Sequence, residues 1–426
     1  MNIVIIGAGY VGLPLALAFA KDHSVICYDI NKERIGELKR GNDCNKQHAK
    51  KEIQQGKLKF TFNVTELLRK NIYIITVPTP IDSSNQPDLK MLEQASLLVG
   101  KVIKKNSIVI YESTTFPGCT EEFCIPLIEQ AAKLKNEKDF SVAYSPERVN
   151  PGDTVHTLAN ITKIVGANDL KTLNRVEKLY KTICKSIYKV NSIKVAESAK
   201  VIENVQRDIN IAFVNELSIL FNKLNIPTNE VLKAAATKWN FHYYKPGLVG
   251  GHCISVDPYY LAYKSQQKNY FPQLILSGRR INESIGKYVA TETLKLLSNN
   301  KINLSTANIA ILGFSFKDNI PDIRNTKITQ IIQELQNWNV KVKIFDSVPV
   351  KTEVKKRYNI ELYNFKDLKK FKYDAIILAV SHSEFLKKLS YYDQFYLNKK
   401  NKIFIDVKNN YLKSDLIKNN FKYFQL

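Results

Sequence analysis

Residues 250–258, Gly-Gly-His-Cys-Ile-Ser-Val-Asp-Pro, put Cys253 behind two glycines and just ahead of a helix start at Asp257-Pro258. Glycines leave backbone N–H groups free to converge on a ligand, and a helix N-terminus favours a thiolate, which can add to a carbonyl carbon. The competing reading is a small hydrophobe, as Cys27, Cys44, Cys119, Cys124 and Cys184 read from their ordinary strand and helix contexts. His252 is the base next in sequence, but neighbouring side chains usually point apart, so it reads as structural. Lys200 and Asn204 stand one turn apart on a helical pattern, where a cation and an amide could polarise a carbonyl or hold an oxyanion, or form an ordinary solvated pair. Glu147, in Ser145-Pro146-Glu147-Arg148, follows a strand-like run, and strand carboxyl ends face the ligand crevice of open α/β sheets.

A second kind of chemistry is written at the start of the chain. Gly7-Ala8-Gly9-Tyr10-Val11-Gly12 follows the apolar run 2–6 and opens a helical pattern over 11–21, and the next apolar run ends in Asp29. Glycines at this spacing allow a tight turn and close approach to a pyrophosphate, whose charge the helix N-terminus favours. A carboxylate at Asp29 would bond ribose hydroxyls and repel a 2′-phosphate, so NAD is expected over NADP. The alternative is a βα turn needing glycine for packing alone.

These residues need rigid elements to hold them. Apolar runs at 2–6, 24–28, 72–77, 107–111, 141–144 and 162–165 alternate with helical patterns such as 89–104 and 120–134, the pattern of a parallel sheet. From about 195 to 299 strand signals vanish; a long helix is predicted from 193 to about 224, ended before Pro227. Strands resume at 308–312, 340–345, 375–380 and 403–407. The expectation is α/β: two Rossmann-like α/β domains joined by a central all-helical domain, divided at 1–192, 193–300 and 301–426. A chain of 426 residues exceeds one core, which agrees with three units.

Composition excludes several classes. Hydrophobic residues at 44% and charged residues at 24% describe a folded chain, not a disordered one. Six cysteines without a CxxC spacing argue against a disulfide framework or zinc site, so no metal and a cytoplasmic location are expected. The uncharged run 3–20 approaches membrane-span length, but its glycines, Pro14 and change of period describe a buried strand feeding a buried helix. The 63 Lys+Arg against 40 Asp+Glu invite a nucleic-acid reading, but the lysines are scattered without a basic stripe or reader module. Neither nucleic acid nor membrane is expected as a partner; the charge suits an anionic small substrate.

Taken together the motifs resemble the UDP-glucose/GDP-mannose dehydrogenase family over essentially the whole chain, most closely its bacterial branch acting on UDP-N-acetylglucosamine or UDP-N-acetylgalactosamine. The resemblance rests on GAGYVGLPLA (7–16), TVPTP (76–80), YESTTFPG (111–118), YSPERVNPG (144–152), AKVIENVQRDINIAFVNEL (199–217), TKWNF (237–241), KPGLVGGHCISVDPYYLA (245–262) and ILGFSFKDNIPDIRNT (311–326). It implies NAD-dependent four-electron oxidation of a sugar C6 to the uronic acid, serving capsule or O-antigen polysaccharide synthesis. Cys253 would form a thiohemiacetal and then a thioester, with Lys200 and Asn204 stabilising the oxyanion. Asp257 and Thr114 would order a water and move protons, and Glu147 would assist hydrolysis. Gly7, Gly9, Val11, Gly12, Asp29 and Arg34 match cofactor positions, Thr79 and Thr114 the nicotinamide side, and Arg324 a residue reaching NAD from the second α/β domain. Lys317 matches a lysine on the substrate phosphates. Tyr243, Tyr244, Lys245 and Gly250 match the substrate loop, to which Glu147, Lys200 and Asn204 also contribute. A homodimer is implied, with the long central helices in contact.

The pattern is departed from in three places. Lys408 stands where animal UDP-glucose enzymes carry arginine, Pro151 where they carry an acid, and the 249–253 stretch differs from the glucose version. The alternatives are a UDP-glucose 6-dehydrogenase and a two-electron NAD-dependent dehydrogenase of the hydroxy-acid type, which would not need Cys253. The non-enzyme alternative is a basic nucleic-acid-binding module on a vestigial Rossmann fold.

Overall fold

The computed structural model describes residues 1–45, 47–54, 56–149 and 155–426, so Pro151 lies outside the described residues. The chain divides into two compact units, Met1–Glu203 with Tyr259–Phe271, and Asn204–Pro258 with Pro272–Leu426.

The first unit is built on eight strands: β1 (Asn2–Ile6), β2 (Ser24–Tyr28), β3 (Leu58–Thr61), β4 (Ile72–Ile75), β5 (Ile108–Tyr111), β6 (Ser141–Tyr144), β7 (Thr162–Ala167) and β8 (Ser186–Val190). Their order is β3-β2-β1-β4-β5-β6-β7-β8, parallel except for the antiparallel β6/β7 pair. Strands β4 and β5 are buried at every position, as the unbroken apolar runs of strands covered on both faces require. The order reverses beside β1, and an open α/β sheet forms its ligand crevice at such a reversal. Strand β3 alternates Leu-Lys-Phe-Thr and β8 is half exposed, so both edge strands lack the apolar run that marks the inner ones. The predicted helix 120–134 is a wide π turn, Thr120–Cys124, followed by a regular helix, Ile125–Ala132. Pro126 is the reason: it has no N–H to bond back into a preceding turn, and it suits the first turn of a new helix.

The second unit carries six parallel strands, β9 (Asn308–Leu312), β10 (Lys341–Phe345), β11 (Leu362–Tyr363), β12 (Ala375–Leu378), β13 (Lys402–Asp406) and β14 (Phe421–Gln425), in the order β11-β10-β9-β12-β13-β14. The reversal recurs beside β9. The helix Gln273–Asn299 lays Ile285, Val289 and Leu297 on the face formed by Ile309, Ile311 and Ile377. A helix runs without a break from Ile193 to Lys223. Among the described residues no helix is long and apolar enough to cross a membrane, and no group of three or more His, Cys, Asp or Glu is placed to hold a metal.

Candidate active site

In the first unit β1 delivers the chain into the glycine turn. Gly7 has φ +104° and donates to Tyr28 O at 2.8 Å. A Cβ on Gly12, first residue of the helix Gly12–Phe19, would lie 1.8 Å from Gly7 O, so no side chain fits there. A Cβ on Gly9 would meet nothing within 4 Å, so the room at Gly9 is not needed for protein packing. Asp29, at the end of β2, accepts from Ala8 N at 2.8 Å and Asn31 N at 2.9 Å. Arg34 is buried, bonding Ala8 O through Nε at 3.1 Å and Asp43 through Nη2 at 2.8 Å, so it braces the turn from behind. An open cradle at a helix N-terminus with a carboxylate at its rim fits the pyrophosphate and ribose of a dinucleotide. Val11 is the residue that enters the helix.

Beyond the ends of β4, β5 and β6 the predicted residues are tied to one another. Thr79 Oγ1 donates to Thr114 O at 2.7 Å, and Tyr260 OH donates to Thr79 O at 2.9 Å. The loop after Thr114 is held by Glu197, one turn before Lys200 on the long helix. Its buried carboxylate accepts from Thr115 Oγ1 at 3.1 Å, from Thr120 N at 2.9 Å and Oγ1 at 2.7 Å, and from Gly118 N. Burial pushes the Glu197 carboxyl upward, against those hydrogen bonds. Glu147 Oε1 accepts from Arg148 N at 2.7 Å and Val149 N at 2.6 Å, while Oε2 meets Lys163 Nζ at 3.2 Å. Burial would raise the Glu147 carboxyl, but the Lys163 ammonium and the two N–H groups outweigh it and hold it below the usual carboxylate range. Lys200 is buried on its helix.

In the second unit the thiol turn is fixed from three sides. Cys253 is half-buried and forms no disulfide; its carbonyl accepts from Val256 N at 3.0 Å and Asp257 N at 2.8 Å, opening the helix Asp257–Gln267. Asn204 Nδ2 donates to Asp257 Oδ2 at 2.6 Å, which brings together two of the predicted catalytic residues, both buried. Gly251, at φ +88°, donates to Arg324 O at 3.1 Å and accepts from Asn325 Nδ2 at 2.9 Å. A Cβ there would sit 2.8 Å from the Phe316 ring, and one on Gly250 2.8 Å from Asn325 O, so the double glycine is what lets this backbone pass. Upstream, Asn215 clamps Gly247 with both ends of its amide, accepting from N at 2.8 Å and donating to O at 3.1 Å. Asn282 and Asp208 lock that amide in turn. His252 Nδ1 lies 3.7 Å from Asp322 Oδ2.

The second sheet repeats the first turn with different chemistry. Gly313, at φ +100°, donates to Phe345 O at 2.8 Å, and Asp346 ends β10 as Asp29 ends β2. Phe314 fills the place next to the glycine and is fully buried. Asp346 is buried too, accepting from Phe314 N at 2.8 Å and from His382 Nε2 at 3.0 Å. Loops past β9 and β13 carry half-buried Lys317 and Lys408, the latter's Nζ meeting Asp318, the residue after Lys317, at 2.7 Å. Gly250, Phe316 and Lys408 line one shallow cleft with Leu248 and Ser315. Arg324 is held by Asp322, its Nε donating to Oδ1 at 2.9 Å and Oδ2 at 3.0 Å. Tyr243 and Lys245 are exposed and Tyr244 half-buried. Lys163 and Glu197 lie outside the quoted motifs, and Asn215 and Asn325 lie inside two of them without being singled out, because each acts through a partner far away in sequence.

Three family models match in succession: the NAD binding domain of the UDP-glucose/GDP-mannose dehydrogenase family over residues 1–184, its central domain over 194–284 and its UDP binding domain over 310–413. The chain belongs to this family. It is accordingly an NAD-dependent dehydrogenase with a UDP-binding domain. A Salmonella typhi UDP-N-acetyl-D-glucosamine 6-dehydrogenase is 49% identical over 387 residues, covering 90% of this chain and 91% of the relative. Protein CapL of Staphylococcus aureus is 48% identical over 387 residues, 91% of each chain. The solved structure of a Pyrococcus horikoshii UDP-D-ManNAc dehydrogenase superposes with a TM-score of 0.90 at 32% identity, covering 100% of this chain and 99% of that one. Family membership excludes the reading as a non-enzymatic nucleic-acid module, and the Gly7–Gly12 turn lies within the stretch matched by the NAD binding domain.

Proposed function

We propose that this protein oxidises C6 of a UDP-N-acetylhexosamine, the gluco epimer first, to the uronic acid in two successive NAD-dependent steps. The observation that carries the substrate is the identity gradient. It stands at 49% and 47% to two relatives named UDP-N-acetyl-D-glucosamine 6-dehydrogenase and falls to 34% for one named UDP-N-acetyl-D-mannosamine dehydrogenase. The likeness to CapL favours surface polysaccharide as the destination of the product. The proposal includes a cytoplasmic site of action and the division into NAD-binding, central helical and UDP-sugar-binding domains. It also includes a homodimer: Val195, Ile202, Phe213 and Leu220 form an exposed apolar stripe at helical spacing along the long helix.

Gly7, Gly9, Val11, Gly12, Asp29 and Arg34 hold the dinucleotide, with Thr79, Thr114 and Arg324 toward the nicotinamide. Bound NAD supplies a hydride acceptor for each of the two oxidations. Lys317, Lys408, Gly250, Tyr243, Tyr244 and Lys245 hold the nucleotide sugar. Cys253 Sγ adds to the C6 aldehyde, forming a C–S bond and a thiohemiacetal, because an aldehyde must be held as a tetrahedral adduct to lose a second hydride. Lys200 and Asn204 stabilise the oxygen on C6. Water then attacks the thioester, giving its proton to a carboxylate as the C–S bond breaks and the electron pair returns to sulfur. Glu147 acts as that base, and Asp257 with Thr114 orders the water. Counting NADH against UDP-sugar consumed tests the scheme: two per sugar, abolished in Cys253→Ala, is expected. One NADH per sugar, or full turnover in that variant, would leave the two-electron reading. A panel of UDP-Glc, UDP-GlcNAc, UDP-Gal and UDP-GalNAc ranks the sugars, and a preference for UDP-Glc would overturn the substrate assignment.

A further inference from the structure

Lys163 is a fully buried lysine on the strand next to one edge of the first sheet, and neither the cofactor turn nor the thiol chemistry uses it. It sits on β7, 0% exposed, where a lone ammonium would be prohibitively desolvated. Its Nζ meets Glu112 Oε2 at 2.6 Å and Glu147 Oε2 at 3.2 Å, and stands 5.4 Å over the Tyr180 ring. Tyr180 OH donates to the other oxygen of Glu112. Three elements therefore converge on one cation: Glu112 from the end of β5, Glu147 from beyond β6, and Tyr180 from the helix Leu170–Tyr180. Among the described residues Cys184 also faces the cluster, its thiol pushed up to about 11 by burial.

A purely structural ion pair would be complete with Glu112, which is as buried as the lysine and already satisfied by Tyr180. Glu147 is the member of the cluster that reaches solvent, its side chain 14% exposed against 0% for Glu112. One ammonium thus serves two carboxylates, an inner one fully enclosed and an outer one with an open side. The outer one is locked from behind, with Oε1 on two backbone N–H groups and Oε2 on the cation.

We infer that Lys163 is a positioning residue of the hydrolytic half-reaction, fixing the Glu147 carboxylate in place and in its anionic form so that it can take a proton from the attacking water. The inference rests on the reading of Glu147 as that base. Burial raises the inner Glu112 carboxyl while the Lys163 charge keeps Glu147 low, so the excess negative charge of the cluster is directed outward. Without the ammonium, burial of Glu147 is opposed only by the N–H groups of Arg148 and Val149, and the carboxyl accepts a proton at higher pH. An opposite charge at this distance is worth about 1–3 pH units.

The test follows one turnover of UDP-N-acetylglucosamine with NAD, reading decay of the protein-bound acyl adduct by intact mass across about pH 5–9. In Lys163→Met the acid limb of that decay should move up by at least about one unit, slowing hydrolysis about 10-fold at the acid end, while adduct formation keeps its rate. Lys163→Arg should restore the limb. Because Lys163→Met strands the buried Glu112, the paired change Lys163→Met with Glu112→Gln removes charge two at a time and should fold, as circular dichroism would show. The same upward shift in this paired variant supports the inference, and an unmoved limb overturns it. Glu147→Gln separates the two ideas: if hydrolysis persists there, the base assignment itself is wrong. If hydrolysis stops there but the Lys163 variants keep the parent profile, only the role of Lys163 is wrong.

Discussion

Alanine at Gly9 and at Gly12 should have opposite consequences, although the two glycines belong to one motif. At Gly12 the new methyl would lie 1.8 Å from Gly7 O and 2.5 Å from Thr76 Oγ1, and the first of these is backbone that cannot rotate away. The turn must open by more than an ångström, an overpacking cost of about 3 kcal/mol. In a domain of about 200 residues each kcal/mol moves the melting temperature about 2–4 °C, so Gly12→Ala should melt about 6–12 °C lower without ligand. At Gly9 the methyl meets nothing within 4 Å, and the ligand-free variant should melt within about 2 °C of the parent. That empty volume is where a pyrophosphate would approach the backbone, so NAD affinity in Gly9→Ala should fall about 10–100-fold, or about 1.4–2.8 kcal/mol. Differential scanning calorimetry without ligand and titration calorimetry with NAD measure the two quantities. Parent-like NAD affinity in Gly9→Ala, or a loss of stability there equal to that of Gly12→Ala, would mean that both glycines serve packing and that the cradle argument is wrong.

Two further perturbations address the second unit. Asn215→Leu removes the two-point clamp on Gly247 and leaves Asn282 short of a partner. It should cost about 1–3 kcal/mol of stability and raise KM for the UDP-sugar more than it lowers kcat, as steady-state kinetics would show. Asp346 is raised by burial but carried below the usual carboxylate range by His382 and the N–H groups of Phe314 and Val348. A carboxyl depressed on folding stabilises above its unfolded value of about 3.9 and loses that stabilisation as pH falls through the folded value. Acid unfolding of the parent should therefore steepen below about pH 4, and Asp346→Asn should be less stable at neutral pH and flatter in that window.

The inner strands were legible because parallel strands covered on both faces must be continuous apolar runs, and β1, β4, β9 and β12 are. The edges were not: β3 carries a lysine and β8 alternates with solvent, so nothing in their composition separates them from loops. Among the predicted site residues, Asn204 and Asp257 are joined by one hydrogen bond, as are Thr79 and Thr114. The residues that hold them were invisible for a physical reason. Lys163 among scattered lysines and Asn215 among many asparagines have no local pattern, and their roles exist only once β5, β6 and β7, or the long helix and the Gly247 loop, are brought together.

The twin turns explain why one sheet takes a dinucleotide and the other need not. Both begin with a left-handed glycine bonded to the neighbouring strand, and both end that strand in an aspartate that captures the next N–H, at 2.8 Å in each. After the first glycine the chain stays small through Ala8 and Gly9 and enters a helix at Gly12, so backbone donors and a helix dipole face open space. After Gly313 it places a buried phenylalanine and travels to Ile328 before a helix begins, so no helix N-terminus stands at the turn. Asp29 keeps a partly open face for ribose hydroxyls, whereas His382 seals Asp346 in the core. The same backbone device is thus open in one sheet, where the dinucleotide is proposed to bind, and a structural pin in the other. In the second sheet no such turn is available, and the proposed phosphate ligands Lys317 and Lys408 stand on later loops.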